Sequence, residues 1–190
     1  MSQGAALGYF FMLGLAFLWV ELPLMQRFIL LLDYPTYSFG IVLFAVLVFS
    51  GLGSIVSGRL GRIRNWAPLL LAILAVVYGL GFLPPIDLVL GLPLAARVVV
   101  AIASVAPISF LMGVPFPAGM RALEAVNSGL VPWAWGVNGY ASVIGSILAA
   151  LIALERGFSD VMLFAAAAYG ISWVLFQVGL RSGVTAHERT

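Results

Sequence analysis

Cysteine and lysine are absent from this chain of 190 residues, and charge of either sign is scarce. Without cysteine there can be no disulfide and no thiolate metal site. The one histidine, His187, lies in a polar tail, so a histidine-rich metal site is excluded as well, and no cofactor is expected. No Ser–His or Cys–His pair and no paired carboxylates on one apolar stretch can be found, which argues against an enzyme of the membrane interior. The net charge of +2 is too small and too scattered for nucleic-acid binding. Only 8% of residues are charged, where a soluble domain has roughly a quarter. A water-facing fold of this size cannot cover its surface with so few charges.

What fills the chain is hydrocarbon: 63% of residues are hydrophobic, and the mean hydropathy is +1.15. A bilayer accepts apolar side chains on the outside of a protein, provided that backbone groups pair internally in helices or a closed barrel. A barrel needs short alternating strands, whereas the apolar runs here are long and continuous. The sequence therefore predicts an all-α membrane protein, a single domain over residues 1–190 with six transmembrane helices. The spans run from Leu7 to about Leu32, Tyr37 to Ser57, Trp66 to Leu83, Leu94 to Val114, Pro132 to Leu154 and Val161 to Leu180. Each is near or above the ~20 residues that a crossing needs. The first is too long for a removed signal peptide and lacks a basic start. The breaks are chemically sensible. Asp33-Tyr34-Pro35, Pro84-Pro85 and Pro115-Phe116-Pro117 end spans, because proline and the residue before it leave the helical region. Ser159 or Asp160 is a natural N-cap for the sixth span.

Arginine sets the orientation. Arg59, Arg62 and Arg64 follow the second span, Arg121 follows the fourth, and Arg181 and Arg189 lie in the C-terminal tail. Placing these six on the cytoplasmic side leaves Arg27, Arg97 and Arg156 on the other, with both termini in the cytoplasm. A plasma membrane of a bacterium is the expected location. Six helices with both ends inside can divide as three plus three, the inverted-repeat plan of many transporters. No sequence identity between the two halves is evident.

Several local features carry chemistry or packing. The glycine- and arginine-rich segment from Gly53 to Arg64 resembles the loop between the second and third helices of major facilitator transporters, without that loop's acidic residue. Ser50, Ser54 and Gly58 recur every four residues in the second span, as do Ala141, Gly145, Ala149 and Ala153 in the fifth, and such small faces allow close helix packing in lipid. A mildly polar stripe, Asn138, Ser142, Ser146 and Ala150, lies beside the latter. Glu21 sits deep in the first span, next to Pro23, Gln26 and Arg27. A charge at the bilayer centre costs roughly 3 kcal/mol or more, so it should face the bundle interior beside a partner, with Arg27 and Arg97 as candidates. Pro23 should kink the helix there. Ala118 to Val126, with Arg121 and Glu124, reads as a short amphipathic segment along the interface.

Phe110-Leu-Met-Gly-Val-Pro-Phe-Pro-Ala-Gly-Met-Arg121 and Val131-Pro-Trp-Ala-Trp-Gly-Val-Asn-Gly-Tyr-Ala-Ser-Val-Ile-Gly-Ser146 resemble the membrane part of the spermidine synthase-like transmembrane proteins, as do Gly14 to Glu21, Gln26-Arg27-Phe28, Pro35-Thr-Tyr37 and Phe49 to Ser54. The resemblance implies a six-helix block related to a major facilitator half. It marks Glu21, Arg27, Pro115, Pro117, Arg121, Trp133, Trp135 and Asn138 as family-typical. In that family the block often follows a soluble aminopropyltransferase-like domain, and no βαβ pattern for one is present in this sequence, so its enzymatic activity is not expected. Two readings stand open. One is a non-catalytic membrane subunit that packs against partner membrane proteins or a second copy. The other is a half-transporter that binds a small polar or cationic solute, such as a polyamine, near Glu21, Arg27 and Asn138.

Overall fold

Long apolar runs leave the backbone one economical way to satisfy its N–H and C=O groups in hydrocarbon, and the chain takes it. A computed structural model describes residues 3–32, 34–81 and 89–187. Its helices are α1 (Gln3–Leu32), α2 (Pro35–Val56), α3 (Ala67–Gly79), α4 (Leu94–Met112), α5 (Pro115–Glu124), α6 (Val131–Arg156) and α7 (Phe158–His187). Two 3-10 turns, Gly61–Trp66 and Ser128–Leu130, precede α3 and α6, and no strand occurs among the described residues.

Among the described residues, five stretches are long and apolar enough to cross a membrane: Gln3–Leu32, Pro35–Val56, Leu94–Glu124, Ser128–Arg156 and Phe158–Gly179. The expected third span is not among them. The helix there, α3, has 13 residues. At 1.5 Å per residue it is about 20 Å long, against a hydrocarbon core of about 30 Å. Pro84-Pro85, expected to end that span, lies outside the described residues.

The breakers act in ways that spacing alone does not reveal. Tyr34 is extended and Pro35 opens α2. α4 ends at Met112, and Pro115 and Pro117 then occupy the first turn of α5, where no backbone N–H needs a partner. The amphipathic segment thus begins at Pro115 rather than at Ala118. Gly157, with φ of 89°, is the whole break between α6 and α7. The helix resumes at Phe158, so Ser159 and Asp160 lie within the first turn and neither is the cap. α1 continues through Pro23 to Leu32.

α1 is the central helix, in contact with α2, α4, α6 and α7. It is apolar all round, as a helix enclosed by others must be. α3 packs on α7 and α4, and α2 packs on α4. α2 and α6 are the outer helices, with 22% and 17% of their most apolar windows buried against 56% for α1. The Trp19 indole of α1 donates to the Gly145 carbonyl of α6 at 2.9 Å and meets the Phe164 ring edge-on. Trp19→Phe keeps most of the ring contact and removes the donor. It should lower stability by about 1 kcal/mol, measured by thermal unfolding in detergent.

Candidate functional site

Two helix crossings frame the site, and glycine makes both possible. At the α1–α6 crossing, a Cβ on Gly14 would lie 2.9 Å from the Ala141 Cβ and would strike the Asn138 carbonyl oxygen. Gly145 faces the Leu15 backbone in return. At the α2–α4 crossing, a Cβ on Gly113 would lie 2.7 Å from the Ser50 carbonyl carbon, and one on Gly53 would lie 2.9 Å from that of Phe110. Backbones meet directly at such points, and dispersion replaces the hydrophobic drive that lipid does not provide.

These contacts correct one stripe and support the other. Ala141, Gly145 and Ala149 are buried against α1. In α2, however, Val42, Val46 and Gly53 turn inward, while Ser54 and Gly58 are exposed. The crossings also expose a likeness between the halves that inspection of the sequence alone misses. Phe11-Met-Leu-Gly14 on α1 matches Phe110-Leu-Met-Gly113 on α4. Ser50-Gly-Leu-Gly53-Ser-Ile-Val56 on α2 matches Ser142-Val-Ile-Gly145-Ser-Ile-Leu148 on α6. In each crossing, a Phe–Gly segment of one half meets a Ser–Gly segment of the other.

Between the crossings, α1, α2, α4 and α6 enclose a groove of about 480 Å3. Phe17, Met112 and Tyr169 line it from the bundle, Ser50 and Ser54 from α2, and Trp135, Asn138 and Ser142 from α6. Asn138 Nδ2 donates to the Phe10 carbonyl at 3.0 Å. The Ser142 hydroxyl lies 3.0 Å from the Asn138 carbonyl oxygen and 3.3 Å from that of Gly14, and Ser50 donates to the Leu47 carbonyl at 3.3 Å. Phe116 and Pro117 close one end. Together with Ser54 and Trp135 they also line a second cavity of about 430 Å3, which contains Arg121 and Glu124. The Phe116 and Trp135 rings are 4.8 Å apart and meet at 73°. Arg121 reaches from α5 to the Ser57 hydroxyl at 2.9 Å, and Tyr9 donates to the Pro115 carbonyl at 2.7 Å. The Pro115–Arg121 segment is thereby fixed to both α1 and the end of α2. Trp133 is 67% exposed and lies outside the groove lining.

The three residues expected to bind together are held apart. Asn138 is bonded near the start of α1 and Arg27 lies near its end, roughly 25 Å away along the helix. Arg27 lines a different cavity of about 320 Å3, with Gln26, Tyr78 and Ser159. Glu21 is buried between these levels, 8% exposed, within electrostatic range of the Tyr169 phenol. Arg97 donates to the carbonyls of Leu31, Leu90 and Leu92. Comparison with family models, with curated proteins and with solved structures gives no match.

Proposed function

We propose that this chain is a non-catalytic, six-span membrane module of three plus three helices in inverted topology, which works by packing its groove face against a second membrane block. The observation that carries this reading is the reciprocal pair of crossings, where matching segments of the two halves exchange partners. An odd number of spans per half turns the second half upside down in the membrane. Under that relation α1 corresponds to α4, α2 to α6 and α3 to α7. The contact α1–α6 then corresponds to α4–α2, the contact α1–α7 to α4–α3, and α3–α7 to itself, and all of these contacts occur.

Both termini lie in the cytoplasm of a bacterial cell on this reading, following the arginine distribution, and the chain is a relative of the spermidine synthase-like membrane block. One six-helix half offers one wall of a facilitator-like path. Its groove face presents Ser54, Trp135 and the open glycine Gly51, whose added Cβ would find nothing within 4 Å. A glycine in a helix costs about 1 kcal/mol relative to alanine, and a closely approaching helix is the usual compensation in lipid.

The absence of native cysteine makes the test direct. Gly51→Cys and Ser54→Cys, both in the exposed groove lining and each carrying a photoreactive thiol label in native membranes, should cross-link to a protein neighbour, either a second copy or another membrane chain. Ile73→Cys, on exposed α3, is the control facing lipid. Equal labelling yields of lipid alone at all three sites would end this reading. The half-transporter variant of the same proposal draws on the polar and aromatic lining of the groove.

A further inference from the structure

We infer that the cavity between the end of α2, α5 and the start of α6 holds the headgroup of a zwitterionic phospholipid, one that carries a phosphodiester and a primary ammonium. The inference goes beyond the partner-face reading and does not depend on it. One face of α5 builds the site. Pro117, Met120, Arg121 and Glu124 follow one another at helical spacing along one side of α5, and all four line the cavity of about 430 Å3. The opposite side, with Ala118, Gly119 and Leu123, is buried in the bundle. Ser54 of α2 and Val131 and Trp135 of α6 form the facing walls. Two side chains of opposite charge thus share one small space. Arg121 donates from Nη2 to the Ser57 hydroxyl at 2.9 Å. That partner is neutral, so it fixes the guanidinium without cancelling its charge, and the other N–H groups stay available to a ligand. Among the described residues no ion pair joins Arg121 to Glu124. A ligand with charge of one sign would satisfy one of the two and face its own sign in the other. A ligand with both signs a short chain apart satisfies each, with its phosphodiester on Arg121 and its ammonium N–H groups on Glu124.

The surroundings favour a lipid over a free zwitterion. α4 alone has 19 residues. At 1.5 Å per residue it is about 28 Å long and reaches across the hydrocarbon, so α5 begins at the level of the headgroups. The cavity also opens into an apolar space. Ser54, Phe116, Pro117 and Trp135 line both it and the groove of about 480 Å3, so the two are continuous. Beyond these shared residues the groove is lined mainly by hydrocarbon, from Leu13, Phe17, Leu18, Leu47 and Met112. A headgroup seated between Arg121 and Glu124 would lead an acyl chain past the Phe116 and Trp135 rings into that groove, where a free zwitterion has nothing to place.

The probe is radiolabelled dioleoylphosphatidylethanolamine, titrated in mixed detergent micelles against the delipidated full chain, and the measurement is the lipid retained on the captured protein. Saturable retention is expected. Unlabelled phosphatidylethanolamine should displace it about fivefold more effectively than phosphatidylglycerol, which has the same phosphodiester and no ammonium to pair with Glu124. Soluble glycerophosphoethanolamine at the same concentration should not displace it, which separates a lipid from a free zwitterion. Glu124→Gln keeps the shape of an exposed side chain and removes its charge, so the protein should fold and its preference should fall to within about twofold of unity. Glu124→Arg should turn the preference towards phosphatidylglycerol. Glu155→Gln, an exposed carboxylate at the far end of α6, should leave it unchanged. Absence of saturable retention, equal displacement by the two lipids, displacement by glycerophosphoethanolamine, or a preference that survives in Glu124→Gln would each overturn the inference. Cross-linking at Gly51 and Ser54 reads the partner face separately, so failure of one experiment is distinguishable from failure of the other.

Discussion

Gly113→Ala should be lost as folded protein, while Gly51→Ala should unfold at or slightly above the temperature of the parent. The two substitutions add the same methyl group to glycines on neighbouring helices. At Gly113 the new Cβ would lie 2.7 Å from the Ser50 carbonyl carbon and collide with the oxygen bonded to it. A carbonyl fixed in a helix cannot rotate away as a side-chain tip can. The α2–α4 crossing must open instead, and the loss of close packing there should exceed about 3 kcal/mol, beyond the ordinary penalty for overpacking. At Gly51 there is nothing within 4 Å, and the helix gains up to about 1 kcal/mol from alanine. Gly53→Ala, two positions further along α2, should fail as Gly113→Ala does, because its Cβ would lie 2.9 Å from the Phe110 carbonyl carbon. Size-exclusion profiles and thermal unfolding in mild detergent measure this. A monodisperse Gly113→Ala with unchanged melting would show that the crossing is looser than described.

Glu21→Met should melt about 4–8 °C higher than the parent, the shift that roughly 2 kcal/mol brings in a chain of this size. The Glu21 carboxyl is buried in α1, 8% exposed. Methionine has similar volume, carries no polar atom that must be hydrated, and adapts to irregular gaps. A buried carboxyl carries a desolvation cost, and an apolar side chain of similar shape removes it. A fall in melting temperature would mean that the carboxyl has a compensating partner, and the stability argument would fail.

Composition made the helical membrane class legible, because a charge fraction of 8% leaves little else that is physically possible. The Ala141, Gly145 and Ala149 face was legible too, since a four-residue period of small side chains is a packing surface on any helix. The sequence did not show which face of α2 turns inward. Of Ser50, Ser54 and Gly58 only Ser50 meets α4, at Gly113, while Val42, Val46 and Gly53 turn inward and Ser54 and Gly58 are exposed. In a helix that is apolar all round, periodicity carries little directional information, and the neighbour decides. The similar segments on α1 and α4, and on α2 and α6, are short, and they stand out through reciprocal contact across the bundle rather than through residue identity.

By itself, then, the order of amino acids determined the solvent in which this protein lives, the helical form of its long apolar runs and most of the points where they stop. Those outcomes follow from local chemistry: transfer of side chains into hydrocarbon, the missing N–H of proline and the φ freedom of Gly157. Only the tertiary structure decided that Asn138, Glu21 and Arg27 occupy different levels of the bundle, that Pro115 begins a helix tied to Tyr9, and that Trp135 and Phe116 meet between two cavities. These depend on distances between helices remote in sequence, set by how closely Gly14, Gly53, Gly113 and Gly145 let the backbones approach.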